Sequence, residues 1–117
     1  MTYTPPSVYE RRATVTRTVD GDTLHLDVNL GCDTQLAMTV RLYGLNCPEM
    51  NTDAGKAAKA WVEQWVRDRA VFGCSLRTVK DKKEKFGRYL ADLLPDDGSP
   101  SLCTALLDSG HAVPYMI

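Results

Sequence analysis

The sequence predicts a single α+β domain, mainly β. In this domain five strands form a small barrel, with one helix between the third and fourth strands and another near the C-terminus. Three observations support this prediction. The length of 117 residues fits one domain. Apolar and polar residues alternate in several short stretches, most clearly from Thr23 to Leu30, as they do in half-buried strands. Two other stretches carry apolar residues at helical spacing.

The elements are expected in the order β-β-β-α-β-β-α. Pro5 and Pro6 lie in a polar segment, so residues 1–10 are predicted to form a flexible arm and residues 11–117 the domain. The five strands are predicted over Arg12–Val19, Thr23–Leu30, Leu36–Leu45, Val71–Val79 and Tyr89–Leu94. A helix inserted after the third strand is typical of a Greek-key barrel of the OB-fold type.

The first helix is predicted to bury one apolar stripe. Thr52 or Asp53 can cap its N-terminus. Its apolar residues recur at intervals of three and four: Ala54, Ala58, Trp61, Val62, Trp65 and Val66. Both tryptophans are therefore expected in the core rather than against a ligand. The second helix is expected to start near Ser99–Ser101, with Pro100 close to its first turn, and to stop at Gly110.

Composition narrows the class of protein only moderately. The net charge of −1 argues mildly against nucleic acid, yet Arg77 to Arg88 holds six basic and two acidic residues. Such a run is most often a solvated loop. The four cysteines lack the short spacing of a zinc motif, so reduced thiols are expected, two or three of them in the core. Without a signal peptide or an apolar run of membrane length, we expect a cytoplasmic protein, unless a leader has been removed.

Three polar stretches carry residues that a barrel does not require. Asp20 and Asp22 flank a turn glycine, a common hairpin device that also offers hard oxygen ligands to a divalent cation. Arg41 lies within a strand, and Glu49 follows Pro48 at its end. The third stretch, Glu84–Leu90, places Arg88 after a glycine. Taken singly, these residues fit turns and exposed strand ends.

Taken together, the acidic residues and the two arginines match the needs of phosphodiester hydrolysis. That reaction needs a metal that neutralises charge and binds the nucleophilic water, a group that orients or deprotonates this water, and donors to the charge that develops on phosphorus. Arginine suits phosphate because its planar fork donates two hydrogen bonds and stays charged.

These stretches resemble the staphylococcal-nuclease family. The family's V-D-G-D-T motif stands at Val19–Thr23, its R-L-x-x-(I/V)-(D/N)-x-P-E motif at Arg41–Glu49, and its K-(Y/F)-G-R-x-L-A motif at Lys85–Ala91. A helix signature matches Ala105–Ala112. All four motifs occur in the family's order and spacing, and they span roughly residues 13 to 113. The resemblance implies a calcium-dependent nuclease that acts on DNA, RNA or both.

The resemblance also implies roles for single residues. Asp22, Asn46 and the backbone carbonyl of Cys47 would ligate Ca²⁺. Glu49 would position or deprotonate the attacking water, and Arg41 and Arg88 would clamp the phosphate. Lys85 and Tyr115 would contact the nucleic acid, although the match at Tyr115 is loose.

One departure from the family leaves a second hypothesis open. The staphylococcal enzyme has Asp where this chain has Asn46, and metal affinity follows the number of charged ligands. The alternative is a catalytically weak or inactive module that binds nucleic acid or protein. A small structural domain with an incidental acidic turn is a third hypothesis. No protein partner and no membrane are expected. The preference for DNA or RNA, endo or exo action, oligomeric state and biological role stay open.

Overall fold

The computed structural model describes residues 10–83 and 88–115, with the backbone alone for residues 79–83. Its elements are β1 (Glu10–Asp20), β2 (Thr23–Gly31), β3 (Thr34–Leu42), β4 (Leu45–Asn46), α1 (Asp53–Arg69), β5 (Cys74–Lys83), β6 (Tyr89–Leu94), α2 (Leu102–Ser109) and β7 (Val113–Pro114). Neither of the two helices in these ranges is long and apolar enough to cross a membrane.

The five longer strands close into a barrel in the order β1-β2-β3-β6-β5. All neighbouring strands are antiparallel except β3 and β6, which run parallel over Val40–Leu42. The short strands β4 and β7 pair with each other in a separate two-stranded sheet. The prediction of a mainly β, five-stranded barrel with two helices is therefore confirmed.

The barrel core follows from the alternation along β2 and β3. Leu24, Leu26 and Val28 are buried, and their register partners on β3 lie on the same face of the sheet. Helix α1 covers the barrel with its own buried residues, among them Val62 and Trp65. Further fully buried side chains come from the remaining elements: Leu45, Leu76, Leu90, Leu93, Leu102 and Leu106.

Both helices start at a capping side chain. The hydroxyl of Thr52 accepts the amide of Gly55, and that of Ser101 accepts the amide of Thr104, so one otherwise unpaired donor is satisfied at each N-terminus. Of the two predicted caps for α1, Thr52 takes the role. Helix α2 ends at Gly110 in the left-handed conformation, as predicted.

Several predicted boundaries are wrong for local reasons. The strand predicted over Leu36–Leu45 ends at Leu42, because Gly44 has φ of 79° and turns the chain before β4. The strand predicted from Val71 begins at Cys74, after Gly73 with φ of 103°. In α1, Ala54 is exposed, and the neighbouring Gly55 is buried in its place.

The cysteines and tryptophans largely occupy the predicted environments. All four cysteines are free thiols: Cys74 and Cys103 are buried, Cys47 is half-buried and Cys32 is exposed. Trp65 is buried, and Trp61 packs at the edge of the core, 6.0 Å from the ring of His111. Both tryptophans therefore contribute to packing.

Candidate functional site

The turn between β1 and β2 brings two carboxylates to one end of the barrel. The amide of Asp22 donates to the carboxylate of Asp20, a local bond that fixes the turn. Gly21 has no room for a side chain, since a Cβ there would lie 2.8 Å from the sulfur of Cys47 and 2.9 Å from the Cβ of Ala58. The turn is therefore packed against helix α1 and the segment that follows β4.

The carboxylate of Asp22 lies at the centre of this end of the barrel. One oxygen accepts the backbone amide of Cys47 at 3.1 Å, and the other accepts the hydroxyl of Thr23 at 3.3 Å. The guanidinium of Arg41 lies 3.8 Å from the first oxygen. The Asp22 and Arg41 side chains are only 15% and 12% exposed, so this ion pair is largely shielded from water.

Arg41 is held by the backbone that follows its own strand. Its Nη1 donates to the carbonyls of Leu42 and Leu45 at 3.2 and 3.1 Å, and its Nη2 donates to the side-chain oxygen of Asn46. The ring of Tyr115 lies 5.8 Å from the guanidinium carbon, within the range of a cation–π contact. These partners fold the side chain over the barrel end, although strand alternation alone would direct it outward.

Arg88 approaches the same centre from the other side. It donates to the hydroxyl of Thr23 at 3.0 Å, and Thr23 in turn donates to Asp22. Strand register explains the convergence, because Thr23 on β2 lies opposite Arg41 on β3 and Arg41 lies opposite Leu90 on β6. Residues from three separate sequence motifs thus meet at Asp22 and Thr23.

The electrostatics of the turn show that negative charge is concentrated there. Burial, a hydrogen bond to Asp22 and repulsion by its charge raise the pKa of Asp20 to about 6. Burial and the same two carboxylates raise the pKa of the Cys47 thiol to about 12. The thiol is therefore neutral at physiological pH and is a poor metal ligand, because metals bind the thiolate.

Glu49 is at the rim of the site, and its backbone is firmly held. Its carbonyl accepts both the amide and the hydroxyl of Thr52, at 3.0 and 2.6 Å. Gly55 packs so closely that a Cβ there would overlap this carbonyl. The Glu49 side chain itself is exposed. Among the described residues, its carboxylate makes no hydrogen bond or ion pair with Asp22 or Arg41.

The oxygen atoms at this end of the barrel suit a hard divalent cation. The carboxylates of Asp20 and Asp22 lie together at the turn, and the amide oxygen of Asn46 and the backbone at Cys47 lie beside them. Within residues 10–83 and 88–115, however, no three His, Cys, Asp or Glu side chains form a group able to hold a metal. A cation here would depend on amide and backbone oxygens in addition to the two aspartates.

One contributor to the site was not predicted, and one predicted residue is not among those that the structure describes. Lys85 lies outside the described residues. Tyr115 is 48% exposed beside Arg41, which agrees with its predicted position near the site. Thr23, which links Asp22 to Arg88, was not predicted, because a buried threonine at a strand start has no distinguishing pattern. Asp20 was predicted with Asp22 as a possible oxygen ligand, and its carboxylate does lie beside that of Asp22 at the turn.

Comparison with known proteins adds no relative. A scan against models of protein families finds no match, and a search of curated proteins finds no significant match. What this end of the barrel does must therefore be inferred from its own side chains.

Proposed function

We propose that this protein is a calcium-dependent nuclease that hydrolyses phosphodiester bonds of DNA, RNA or both. The observation that carries the proposal is the convergence of Arg41 and Arg88 on the Asp22–Thr23 pair. A shielded carboxylate that is paired with one arginine and linked to a second through Thr23 is a costly arrangement that the barrel core does not require. It provides an oxygen ligand for a cation beside donors suited to phosphate.

The proposal includes a fold and a family. We infer an OB-fold Greek-key barrel of the staphylococcal-nuclease type, with α1 inserted between the third and fourth barrel strands. The strand order β1-β2-β3-β6-β5 with a parallel β3–β6 pair supports the inference. Further support comes from the sequence motifs, because Val19–Thr23 and Arg41–Glu49 adjoin at the barrel end and Arg88 of the third motif reaches the same point.

The oxygen atoms at the turn fit a calcium ion as ligands, and each residue has a distinct proposed role. Asp22, the amide oxygen of Asn46 and the backbone carbonyl of Cys47 would hold the ion, and the Asp20 carboxylate would add negative charge beside it. When bound, the ion would neutralise phosphate charge and lower the pKa of a ligated water. Glu49, at the exposed rim, would position or deprotonate the attacking water.

The two arginines are proposed to stabilise the charge on the pentacovalent phosphorus. Arg41 can do so only with N–H groups that are not already bonded within the protein, because its Nη1 donates to two backbone carbonyls. A phosphate must therefore compete with Asn46 for Nη2. Arg88 donates to the neutral hydroxyl of Thr23, a weaker partner than a phosphate oxygen.

One observation favours the alternative of a binding module without catalysis. The amide oxygen of Asn46 accepts a hydrogen bond from Arg41, so one proposed metal ligand and one proposed phosphate ligand are bonded to each other. In a module of this kind Arg41 and Arg88 would still bind nucleic acid, whereas the cation would bind weakly. The uncharged Asn46 is then the feature that separates the two functions.

The test is cleavage of single-stranded DNA, duplex DNA and RNA with calcium, with magnesium and with a chelator. Wild type is compared with Glu49→Gln, and Glu63→Gln on helix α1 serves as a control with the same loss of charge away from the site. We expect cleavage that calcium supports, the chelator abolishes and Glu49→Gln lowers by about 10²-fold or more. Glu63→Gln should retain wild-type rates.

A further variant, Asn46→Asp, separates the proposal from its alternative. A carboxylate at this position adds a charged ligand, so the calcium concentration for half-maximal activity should fall by about tenfold or more. Absence of cleavage by the folded wild type with either metal would refute the nuclease proposal. Gain of cleavage in Asn46→Asp alone would then identify the wild type as a binding module.

A further inference from the structure

Thr23 is a buried polar residue at the end of the barrel that holds the candidate site. It is the first residue of β2, only 4% exposed, and it lies opposite Asp20 on β1 and Arg41 on β3. Burial of a hydroxyl is unfavourable unless it is hydrogen-bonded, and valine, which has nearly the same shape, also favours strands. Packing alone therefore does not account for the hydroxyl.

The hydroxyl of Thr23 connects an arginine to the carboxylates of the turn. It accepts a hydrogen bond from Nη1 of Arg88 at 3.0 Å and donates to Oδ1 of Asp22 at 3.3 Å. Burial raises the pKa of Asp20, and the neighbouring Thr23 hydroxyl partly offsets this rise. A hydroxyl has one proton and two lone pairs, so it can donate to a carboxylate while it accepts from Arg88.

The carboxylate of Asp22 is held at both of its oxygens. Its Oδ2 accepts the backbone amide of Cys47 at 3.1 Å, and its Oδ1 accepts the Thr23 hydroxyl. The backbone of Asp22 is also fixed, because its carbonyl accepts the amide of Leu42 at 2.8 Å. The outer torsion of an aspartate side chain varies broadly when nothing restrains it. One hydrogen bond at each oxygen therefore sets the plane of the carboxylate and the direction of the lone pairs left for a cation.

The same hydroxyl holds the guanidinium of Arg88. Arg88 comes just before β6, and strand register carries it to the site, because Leu90 of β6 lies opposite Arg41, which lies opposite Thr23. A long arginine side chain has much rotational freedom, and a bonded Nη1 removes part of it. A hydroxyl that donates to a carboxylate becomes a stronger acceptor. Asp22 therefore strengthens the contact between Thr23 and Arg88.

We infer that Thr23 is a positioning residue, whose hydroxyl orients Asp22 for a cation and Arg88 for a phosphate through one chain of hydrogen bonds. The inference rests on the proposed nuclease function for the identity of these two ligands. Loss of a hydrogen bond that supports a ligating carboxylate typically weakens metal binding or activity by about 10- to 100-fold. Thr23 should therefore affect both cation binding and turnover, although it is assigned as a ligand of neither cation nor substrate.

The first test is the binding of calcium alone, measured by titration calorimetry without nucleic acid. Thr23→Val removes the hydroxyl but keeps the branched shape, and it should raise the Kd for calcium by about tenfold or more. Thr23→Ser keeps the hydroxyl and should restore nearly the wild-type Kd. A role in packing alone would give the opposite order, because valine fills the threonine site better than serine does.

Thr18→Val is the matched control. Thr18 is also a buried threonine, 7% exposed, but it lines a groove between β1 and α1. The same substitution there should leave the Kd for calcium unchanged. Thermal unfolding shows whether each variant is folded. Should Thr23→Val fail to fold, Thr23→Ala against Thr23→Ser repeats the comparison with smaller side chains.

The second test asks whether Thr23 acts through Arg88. Turnover of single-stranded DNA is measured at saturating calcium for Thr23→Val, Arg88→Ala and the double variant. Thr23→Val should lower kcat by about tenfold or more in the wild-type background, but by less than about threefold in the Arg88→Ala background. The reason is that the guanidinium which Thr23 positions is already absent there. Effects that multiply in the double variant would contradict the link to Arg88.

The outcomes separate this inference from the nuclease proposal. Wild-type calcium binding and turnover in Thr23→Val, with turnover lost in Arg88→Ala, would overturn the inference and leave the nuclease proposal intact. Weaker calcium binding in Thr23→Val but not in Thr18→Val, with no cleavage by any variant, would support the role of Thr23 at Asp22 and refute the nuclease proposal. A folded wild type that binds no calcium would overturn both.

Discussion

The two ends of the β2–β3 hairpin use the same strand pair in opposite ways. At one end, Arg41 is paired with strands on both sides, and its side chain is bonded to several neighbours. At the other end, Leu30 and Leu36 are half exposed, and β3 has no second partner strand among the described residues. Side chains therefore determine the chemistry of the first end. The second end offers mainly backbone groups and apolar surface.

The largest effect expected from this difference concerns two glycines. Gly55→Ala would drive a Cβ into the carbonyl of Glu49, a backbone atom that Thr52 holds in place, and should lower the free energy of unfolding by about 3 kcal/mol. At the hairpin tip, a Cβ on Gly31 meets open space, and only its φ of 86° is unfavourable. Gly31→Ala should therefore cost about 1 kcal/mol.

Urea unfolding of both glycine variants measures the free energy of unfolding that each one loses. Equal losses of stability would show that the Glu49 segment yields as readily as the hairpin tip. In that case the rigid support that we assign to the rim of the site would be wrong.

The next effect concerns the arginines of the site end. Arg41→Ala and Arg88→Ala should each lower turnover by at least about 10²-fold, the scale for loss of one donor to a developing charge. Arg41→Ala should also lower stability by about 2 kcal/mol, because it leaves the shielded carboxylate of Asp22 without its ion-pair partner. Turnover and urea unfolding are both measured.

Arg17→Ala is the control for the arginine variants. Arg17 is an exposed residue of β1 whose side chain makes no hydrogen bond or ion pair with another described residue, so its removal should leave both turnover and stability near wild type. Wild-type turnover in both Arg41→Ala and Arg88→Ala would refute the site assignment.

The barrel could be predicted from sequence because period-two alternation and turn residues are local signals. Tyr89–Leu94 was predicted with its observed bounds, and Thr23–Leu30 was one residue short. Where an observed strand ends or begins inside its predicted range, a glycine lies near the boundary. Gly44 and Gly73 adopt positive φ and break apolar runs that appear continuous in the sequence, so the strands at Leu42 and Cys74 end or start inside the predicted ranges.

The candidate site was predictable in its residues but not in its contacts. The motifs identified Asp22, Arg41 and Arg88, and the barrel brings these three side chains together. Their hydrogen bonds depend on strand register and on turns after β3, which no local pattern encodes. No local pattern indicates that Arg41 donates to Asn46 or that Glu49 is exposed.

The smallest expected effect concerns the stability that the fold loses when Asp20 ionises at the turn between β1 and β2. The pKa of Asp20 is about 6 in the folded protein, against an ordinary value of 3.8, so the folded state binds this proton more tightly than the unfolded state. Ionised Asp20 therefore destabilises the fold above about pH 6, and the penalty disappears as the pH falls towards about 4. Asp20→Asn keeps the oxygen that accepts the Asp22 amide while removing the charge.

We expect Asp20→Asn to be more stable than wild type by about 1 kcal/mol at neutral pH, less than full linkage because water screens a half-buried pair. The advantage should vanish near pH 4, and calcium should reduce it at neutral pH because a bound cation offsets the same repulsion in the wild type. Asp33→Asn at the exposed hairpin tip is the control and should change stability by less than about 0.5 kcal/mol at either pH. Thermal unfolding of the variants is measured across this pH range. A gain in stability that does not depend on pH would mean that the Asp20 and Asp22 carboxylates do not repel each other. The proposed cation site would then lose its main electrostatic support.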